Sequence, residues 1–118
     1  MIVENLTKST TLVDRGRVAD TFFSRLKGLL GSPPLERGQG LLLKNEKSIH
    51  TLFMGFPIDV VYLNNQQEVI KIDANMVPYR LGAFVRKSAS ILELPVGIVQ
   101  ESQTTIGDTL KIIENPVS

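Results

Sequence analysis

Short runs in which apolar and polar residues alternate dominate the chain after Gly40, and such runs predict β-strands. The run at residues 58–63 is apolar on both faces apart from Asp59, as expected of a central strand. The Asn-Asn-Gln-Gln sequence at residues 64–67 predicts a hairpin turn, because asparagine tolerates positive φ. Strands are therefore predicted at residues 41–44, 48–53, 58–64, 68–73, 89–94 and 109–113.

The first third of the chain has a different pattern. Residues 2–13 are β-prone and rich in threonine, which predicts one or two strands around a bend at Lys8, and residues 14–17 predict a turn. A helix is predicted at residues 21–30, because large apolar residues recur there at helical spacing and Gly31 and Pro33 end the pattern. Farther on, Pro95 favours a short helical turn at residues 96–101.

Together these elements predict a mainly β fold: a small β-sandwich or barrel of seven to eight short strands with one α-helix packed on it. The strands lack the alternating helices that a parallel βαβ sheet needs. The length of 118 residues predicts a single domain spanning residues 1–118, large enough to bury a core without disulfides.

The composition excludes several kinds of site. With no cysteine and one histidine, the chain has no disulfide and no zinc site of the usual ligand sets, and we expect no metal and no cofactor. No phosphate-binding glycine loop, Gly-x-Ser-x-Gly or His-Glu-x-x-His sequence occurs. The net charge of +1 neither favours nor forbids a polyanion, and nucleic acid ranks last among the partners considered. The absence of cysteine, of a signal-like start and of a long apolar run predicts a cytoplasmic protein with no membrane partner.

Polar side chains in apolar surroundings are the candidate binding residues: Arg25, His50, Asp59 and Glu93. His50 titrates near neutral pH and is either a ligand contact or general base, or a half-buried histidine bonded to a carbonyl group. Asp59 lies at an exposed strand end or needs a partner, for which Arg25, His50 and Arg86 are candidates; a buried pair or a carboxylate bonded to the backbone is the preferred interpretation. Glu93 points away from the leucines beside it, either into solvent or toward the other candidates, and no catalytic residue is assigned.

Residues 75–87 form a long connection in which Tyr79 and Phe84 are interleaved with Arg80, Arg86 and Lys87. This mixture suits contact with an anionic ligand or single-stranded nucleic acid. The preferred interpretation is an edge strand whose charges oppose pairing with other sheets.

Several motifs occur in a fixed order: Arg25-x-x-Gly28-Leu29-Leu30, residues 40–43, residues 49–63 with Met-Gly-Phe-Pro-Ile-Asp-Val-Val, residues 91–97 with Leu-Glu-Leu-Pro-Val-Gly, and Gly107-Asp108. The chain thereby resembles the domain-of-unknown-function 192 family, also called uncharacterised protein family 0127, over residues 19–113. The resemblance implies a compact β-sandwich or barrel with one helix, and it brings no established reaction, substrate or cofactor. The family's motif positions fall on Arg25, Gly28, Met54, Pro57, Asp59, Glu93 and Gly97. Phe53 and Gly55 depart from it, because many members have tryptophan and a basic residue there.

Three functions remain open. The preferred hypothesis is a binding module for a small molecule or a protein, without catalysis, whose pocket includes the four candidate residues. The first alternative is a small hydrolase or lyase that uses His50 with Asp59 or Glu93 as an acid–base pair. The second is a purely structural or interaction protein in which these groups only organise the core.

Overall fold

A computed structural model describes residues 1–20, 33–49 and 55–115 of the chain. Within these ranges the chain forms eight strands and one short helix. In chain order they are β1 (Ile2–Asn5), β2 (Thr10–Val13), β3 (Arg15–Ala19), β4 (Gln39–Lys44), β5 (Ile58–Leu63), β6 (Val69–Met76), β7 (Ser90–Pro95), α1 (Ile98–Glu101) and β8 (Leu110–Ile113).

The eight strands form two sheets. In the smaller sheet, β1 lies between β2 and β8 and is antiparallel to both. The larger sheet has the order β3-β4-β7-β5-β6; β3 and β4 are parallel, and the other pairs are antiparallel. The central strand is therefore β7, and each of its residues has a neighbour in β4 or β5.

The two sheets pack face to face through apolar side chains. We call the face of the larger sheet that meets the smaller sheet the inner face, and the opposite one the outer face. Alternation along each strand sends successive side chains to opposite faces. One buried cluster joins the inner face to the smaller sheet and includes Val3, Leu12, Val13, Leu42, Val61, Leu63, Leu92, Leu94 and Leu110. The described strands thus form a sandwich that does not close into a barrel, which confirms the predicted mainly β class.

A second buried cluster lies on the outer face. It includes Leu41, Leu43, Ile58, Val60, Tyr62 and Ile91, which alternate along their strands with residues of the first cluster. Because both faces of the larger sheet are covered, β5 is buried along its whole length, as its sequence predicted.

The predicted turn at residues 14–17 is wrong. Residues 15–17 already belong to β3, which pairs in parallel with β4. Gly16 is required by close packing: a Cβ atom there would lie 2.7 Å from Cγ1 of Val13, and the backbone of Gly16 exchanges hydrogen bonds of 2.8 and 2.9 Å with Met1. In the sequence, a glycine that is required because another segment of the same chain packs closely against it looks the same as a glycine of a turn.

Two other local predictions concern residues 21–30 and 48–53. Ser48 and Ile49 are not in a strand, so the predicted strand does not begin where expected, and residues 50–53 lie outside the described residues. The predicted helix at residues 21–30, including Gly28, also lies outside them.

The predicted hairpin and short helical turn are confirmed. The hairpin joins β5 to β6, and Oδ1 of Asn64 accepts hydrogen bonds from the backbone amides of Gln66 and Glu68 at 3.0 and 2.9 Å. The positive φ falls on Gln67, at 60°, rather than on an asparagine of the turn. The helix α1 occupies the end of the predicted segment 96–101. No helix among the described residues is long and apolar enough to cross a membrane.

Candidate functional site

Asp59 is buried in β5, and its carboxylate is bonded to backbone amides. Oδ1 accepts from the amide of Asn75 at 2.8 Å, and Oδ2 accepts from the amides of Gly97 and Val99 at 3.0 Å each. These contacts join β5 to the end of β6 and to the start of α1. Hydrogen bonds to an ionised acceptor are stronger than neutral ones, so they compensate the burial of the charge.

The local sequence explains this arrangement. Gly97 has φ of 98°, a left-handed conformation that glycine adopts without the steric cost of a Cβ atom. This conformation turns the chain after Pro95 and presents the first amides of α1, which have no partner inside the helix. Asp59 supplies that partner from a neighbouring strand. Among the described residues, the donors to Asp59 are therefore backbone amides and not the Arg86 side chain considered from sequence, while Arg25 and His50 lie outside the described residues.

Glu93 is also buried, with 4% of its surface exposed, but it has different surroundings. It lies at the middle of β7, where its register partners are Leu41 on one side and Val60 on the other. Both partners belong to the outer apolar cluster. Its Oε2 atom is buried and accepts or donates no hydrogen bond within the described part of the chain. The solvent-facing interpretation of Glu93, which its strand pattern favoured, is thus wrong, because the outer face is covered.

Burial raises the pKa of Glu93 to about 8, and the positive charge of Arg17 opposes this rise without cancelling it. A carboxyl group with this pKa is mostly protonated at pH 7, so it is neutral and can donate a hydrogen bond. A buried polar atom without a partner costs free energy and calls for an explanation. Perturbed pKa values of this kind occur most often at functional sites.

Arg17, Glu93 and Asp73 lie in one row across the outer face, separated by Leu41 and Val60, and sequence reasoning did not select Arg17 or Asp73. In register, Arg17 of β3 pairs with Leu41, Leu41 with Glu93, Glu93 with Val60, and Val60 with Asp73 of β6. The row therefore has a cation at one edge of the sheet, a carboxyl group at its centre and a carboxylate at the other edge. Alternation along each strand shows which side chains share a face. It places these residues in one row only when the order of the strands is also known.

Tyr62 connects the centre of this row to its β6 edge. Its hydroxyl group donates to Oδ2 of Asp73 at 3.3 Å, and the Nζ atom of Lys71 lies 3.3 Å from Oδ1 of the same carboxylate. Burial raises the pKa of Tyr62, and the charge of Asp73, its hydrogen bond to that carboxylate and the charge that Glu93 carries once ionised raise it further. Tyr62 therefore stays protonated and remains a hydrogen-bond donor on the outer face.

Asp59 and Glu93 do not share a site. Asp59 pairs with Leu94, and Glu93 pairs with the next residue of β5, Val60, so the two carboxyl groups point to opposite faces of one sheet. Asp59 faces the inner side, where Val99 of α1 donates to it, and Glu93 faces the outer cluster. The two acids therefore cannot act as one acid–base pair. Among the residues described, no group of three His, Cys, Asp or Glu side chains is placed to hold a metal ion.

Comparison with known proteins gives a family and a fold. The family model DUF192, described as uncharacterized ACR, matches residues 4–112. A UPF0127 protein of Thermococcus sibiricus is 34% identical over 112 residues, which cover 90% of this chain and 71% of the relative. A UPF0127 protein of Pyrococcus furiosus is 33% identical over 110 residues, covering 91% and 94% of the two chains.

A solved structure has the same fold. It is the crystal structure of a protein of unknown function from Novosphingobium aromaticivorans, with a TM-score of 0.80 and 20% sequence identity. The alignment covers 94% of this chain and 82% of that one. At this identity the likeness extends to the fold alone.

Proposed function

We propose that this chain, which belongs to the DUF192 family of uncharacterised proteins, is a non-catalytic binding module for a small ligand. The ligand binds within the apolar layer on the outer face of the larger sheet and contacts Glu93 there. The observation that carries this proposal is the buried Oε2 atom of Glu93, which has no hydrogen-bond partner among the described residues. A bound polar group would supply that partner.

The surroundings of Glu93 support binding rather than a purely structural role. A structural carboxylate is satisfied by its own fold, as Asp59 is by three backbone amides. Glu93 instead has apolar register partners on both sides, with Arg17 and Tyr62 as polar groups near it. Ligand sites are mostly apolar and contain a small number of placed polar groups, which fits this description. The chain has no recognised nucleophile motif, and this favours binding over catalysis.

Nuclear magnetic resonance titration with a library of small carboxylic acids, amides and amines tests the proposal. We expect hits to shift the signals of outer-face residues such as Tyr62 and Ile91, and to leave the inner-face residues Leu92 and Leu94 unchanged. Hits that move only inner-face signals, or a library without hits, would contradict the proposed site.

Two variants separate binding from structure. Glu93→Gln keeps the size of the side chain but replaces the acid by an amide, so we expect a hit to bind about tenfold or more weakly while the fold is retained. Asp59→Asn is the matched control, because it makes the same change on the other face; we expect it to lose stability and to keep the affinity. Unchanged affinity in Glu93→Gln would instead favour the structural alternative.

The cytoplasm is the location that we propose for this module. A chain of 118 residues without cysteine suits a reducing compartment.

A further inference from the structure

A separate cavity lies at one end of the larger sheet, where β4 and β5 end and β7 begins. It has a volume of about 550 Å³, and we call it the turn cleft. Its walls come from the connection after β4, the β5–β6 hairpin and the residues before β7. Polar side chains that line it include Lys47, Asn65, Gln66, Arg86 and Lys87.

Hydrogen bonds hold the cationic wall of the turn cleft in place. The Nζ atom of Lys47 donates to the carbonyl oxygens of Arg86 and Ser88 at 2.8 and 2.9 Å. In return, the carbonyl oxygen of Lys47 accepts from the amide of Val85 at 2.7 Å. An ammonium group has three N–H bonds, so Lys47 is fixed in position and retains a donor. The buried hydroxyl of Ser88 donates to the carbonyl oxygen of Glu46 at 2.7 Å and closes the same wall.

The charge of the turn cleft is of one sign. Three cations line it, and no carboxylate occurs among the described residues that line it. Arg86 and Lys87 are exposed, so their charged groups are available to a ligand. The carboxylate of Glu68 lies beside the cleft on the hairpin, where Nδ2 of Asn64 donates to it at 2.9 Å.

The available donors match one kind of ligand. Arginine offers a planar fork of N–H groups, and lysine a point charge, which together bind phosphate oxygens well. The amide side chains of Asn65 and Gln66 add neutral donors from the hairpin. The volume lies within the range of small-molecule sites.

We propose that the turn cleft binds a phosphate group, carried by a small phosphate monoester or present as free phosphate. Arg86, Lys87 and Lys47 contact its oxygens from one wall, and Asn65 and Gln66 contact them from the hairpin. This site lies at the end of the sheet, apart from the outer-face site at Glu93, so either can exist without the other.

Titrations of the full chain with inorganic phosphate and with methyl phosphate, at constant ionic strength, test the proposal. We expect both anions to shift the amide signals of the turn-cleft residues. The anion with the higher affinity shows whether the cleft prefers free phosphate or a phosphate monoester. In the double variant Arg86→Gln with Lys87→Gln, we expect affinity to fall about tenfold or more, because charge-assisted hydrogen bonds are lost. The control Arg37→Gln with Lys111→Gln removes the same charge from exposed positions outside the cleft, and we expect less than about a twofold change there.

Three outcomes would overturn the proposal. In the first, neither anion shifts the turn-cleft signals. In the second, both double variants weaken binding equally, and this result indicates that the anion is attracted by the net charge alone. In the third, an oligothymidylate of four nucleotides binds far more tightly than methyl phosphate, which assigns the cleft to single-stranded nucleic acid. Thermal unfolding of each variant confirms that a lost affinity does not come from a lost fold.

Discussion

Replacing Glu93 by glutamine should stabilise the protein, by an amount that grows with pH. The pKa of Glu93 is about 8 in the folded chain, against an ordinary value of 4.5. Between these values the folded chain keeps a proton that the unfolded chain has released. Raising the pH through this window therefore lowers the free energy of unfolding. Glutamine resembles the protonated acid in size and does not titrate, so the free energy of unfolding of the variant does not fall with pH for this reason.

The magnitude follows from the displacement of the pKa. Each pH unit inside the window changes the free energy of unfolding by about 1.4 kcal/mol. The advantage of Glu93→Gln is then about 1 kcal/mol at pH 5, about 2 at pH 6, about 3 at pH 7 and about 4 at pH 8. A domain has about 5–15 kcal/mol of stability in total, so this is a large fraction.

Urea unfolding followed by far-ultraviolet circular dichroism at these four pH values measures the effect, and it suits a chain without tryptophan. Glu36→Gln is the control, because it removes the same charge from an exposed position and should change stability by less than about 0.5 kcal/mol. A constant difference between wild type and Glu93→Gln from pH 5 to pH 8 would refute the assigned pKa. A variant less stable than wild type at pH 8 would show that the carboxylate has a partner.

Three further predictions concern residues that organise the fold. Asp59→Asn should lower the free energy of unfolding by about 2–4 kcal/mol in urea at pH 7, because one amide oxygen replaces a carboxylate that serves three backbone donors; an unchanged midpoint would contradict this role. Gly97→Ala should cost about 1–2 kcal/mol through conformation alone, because φ is 98° and an added Cβ meets no atom within 4 Å; Gly55→Ala, also in open space, is the comparison. Burial opposes the ionisation of Asp108, but hydrogen bonds from Asn5 and other donors lower its pKa to about 2. Stability should therefore fall as pH drops from about 4 to 2, and thermal unfolding of Asp108→Asn should show a smaller loss over that range.

Much of the fold was predictable because strand formation depends on local pattern. The alternation in β7 and the apolar run of β5 predicted their strands, and the Asn-Asn-Gln-Gln sequence predicted the hairpin between β5 and β6. Gly16 was misread because the need for glycine came from Met1 and Val13, which approach it only in the folded sheet.

The sequence selected some of the residues near the candidate site, which itself stays a proposal. The sequence identified Asp59 and Glu93 as acids in apolar strands, and Asp59 is buried and bonded to backbone amides as preferred, whereas Glu93 is buried and does not face solvent. It did not reveal Arg17, Tyr62 or Asp73, because each is ordinary in its own strand. These three residues join Glu93 only through the strand order of the larger sheet.

The sequence by itself determined that this chain is a small mainly β protein of the DUF192 family, with two acids that its strands must accommodate. Only the tertiary structure decided how each acid is accommodated. Asp59 of β5 and Glu93 of β7 lie one position apart in the register of the two paired strands. Asp59 therefore faces the amides at the start of α1, and Glu93 faces the outer apolar cluster. The physical reason is that side-chain direction in a strand has a period of two residues. A difference of one position in register therefore places Asp59 where backbone amides bind its carboxylate, and Glu93 where its buried Oε2 atom has no partner among the described residues.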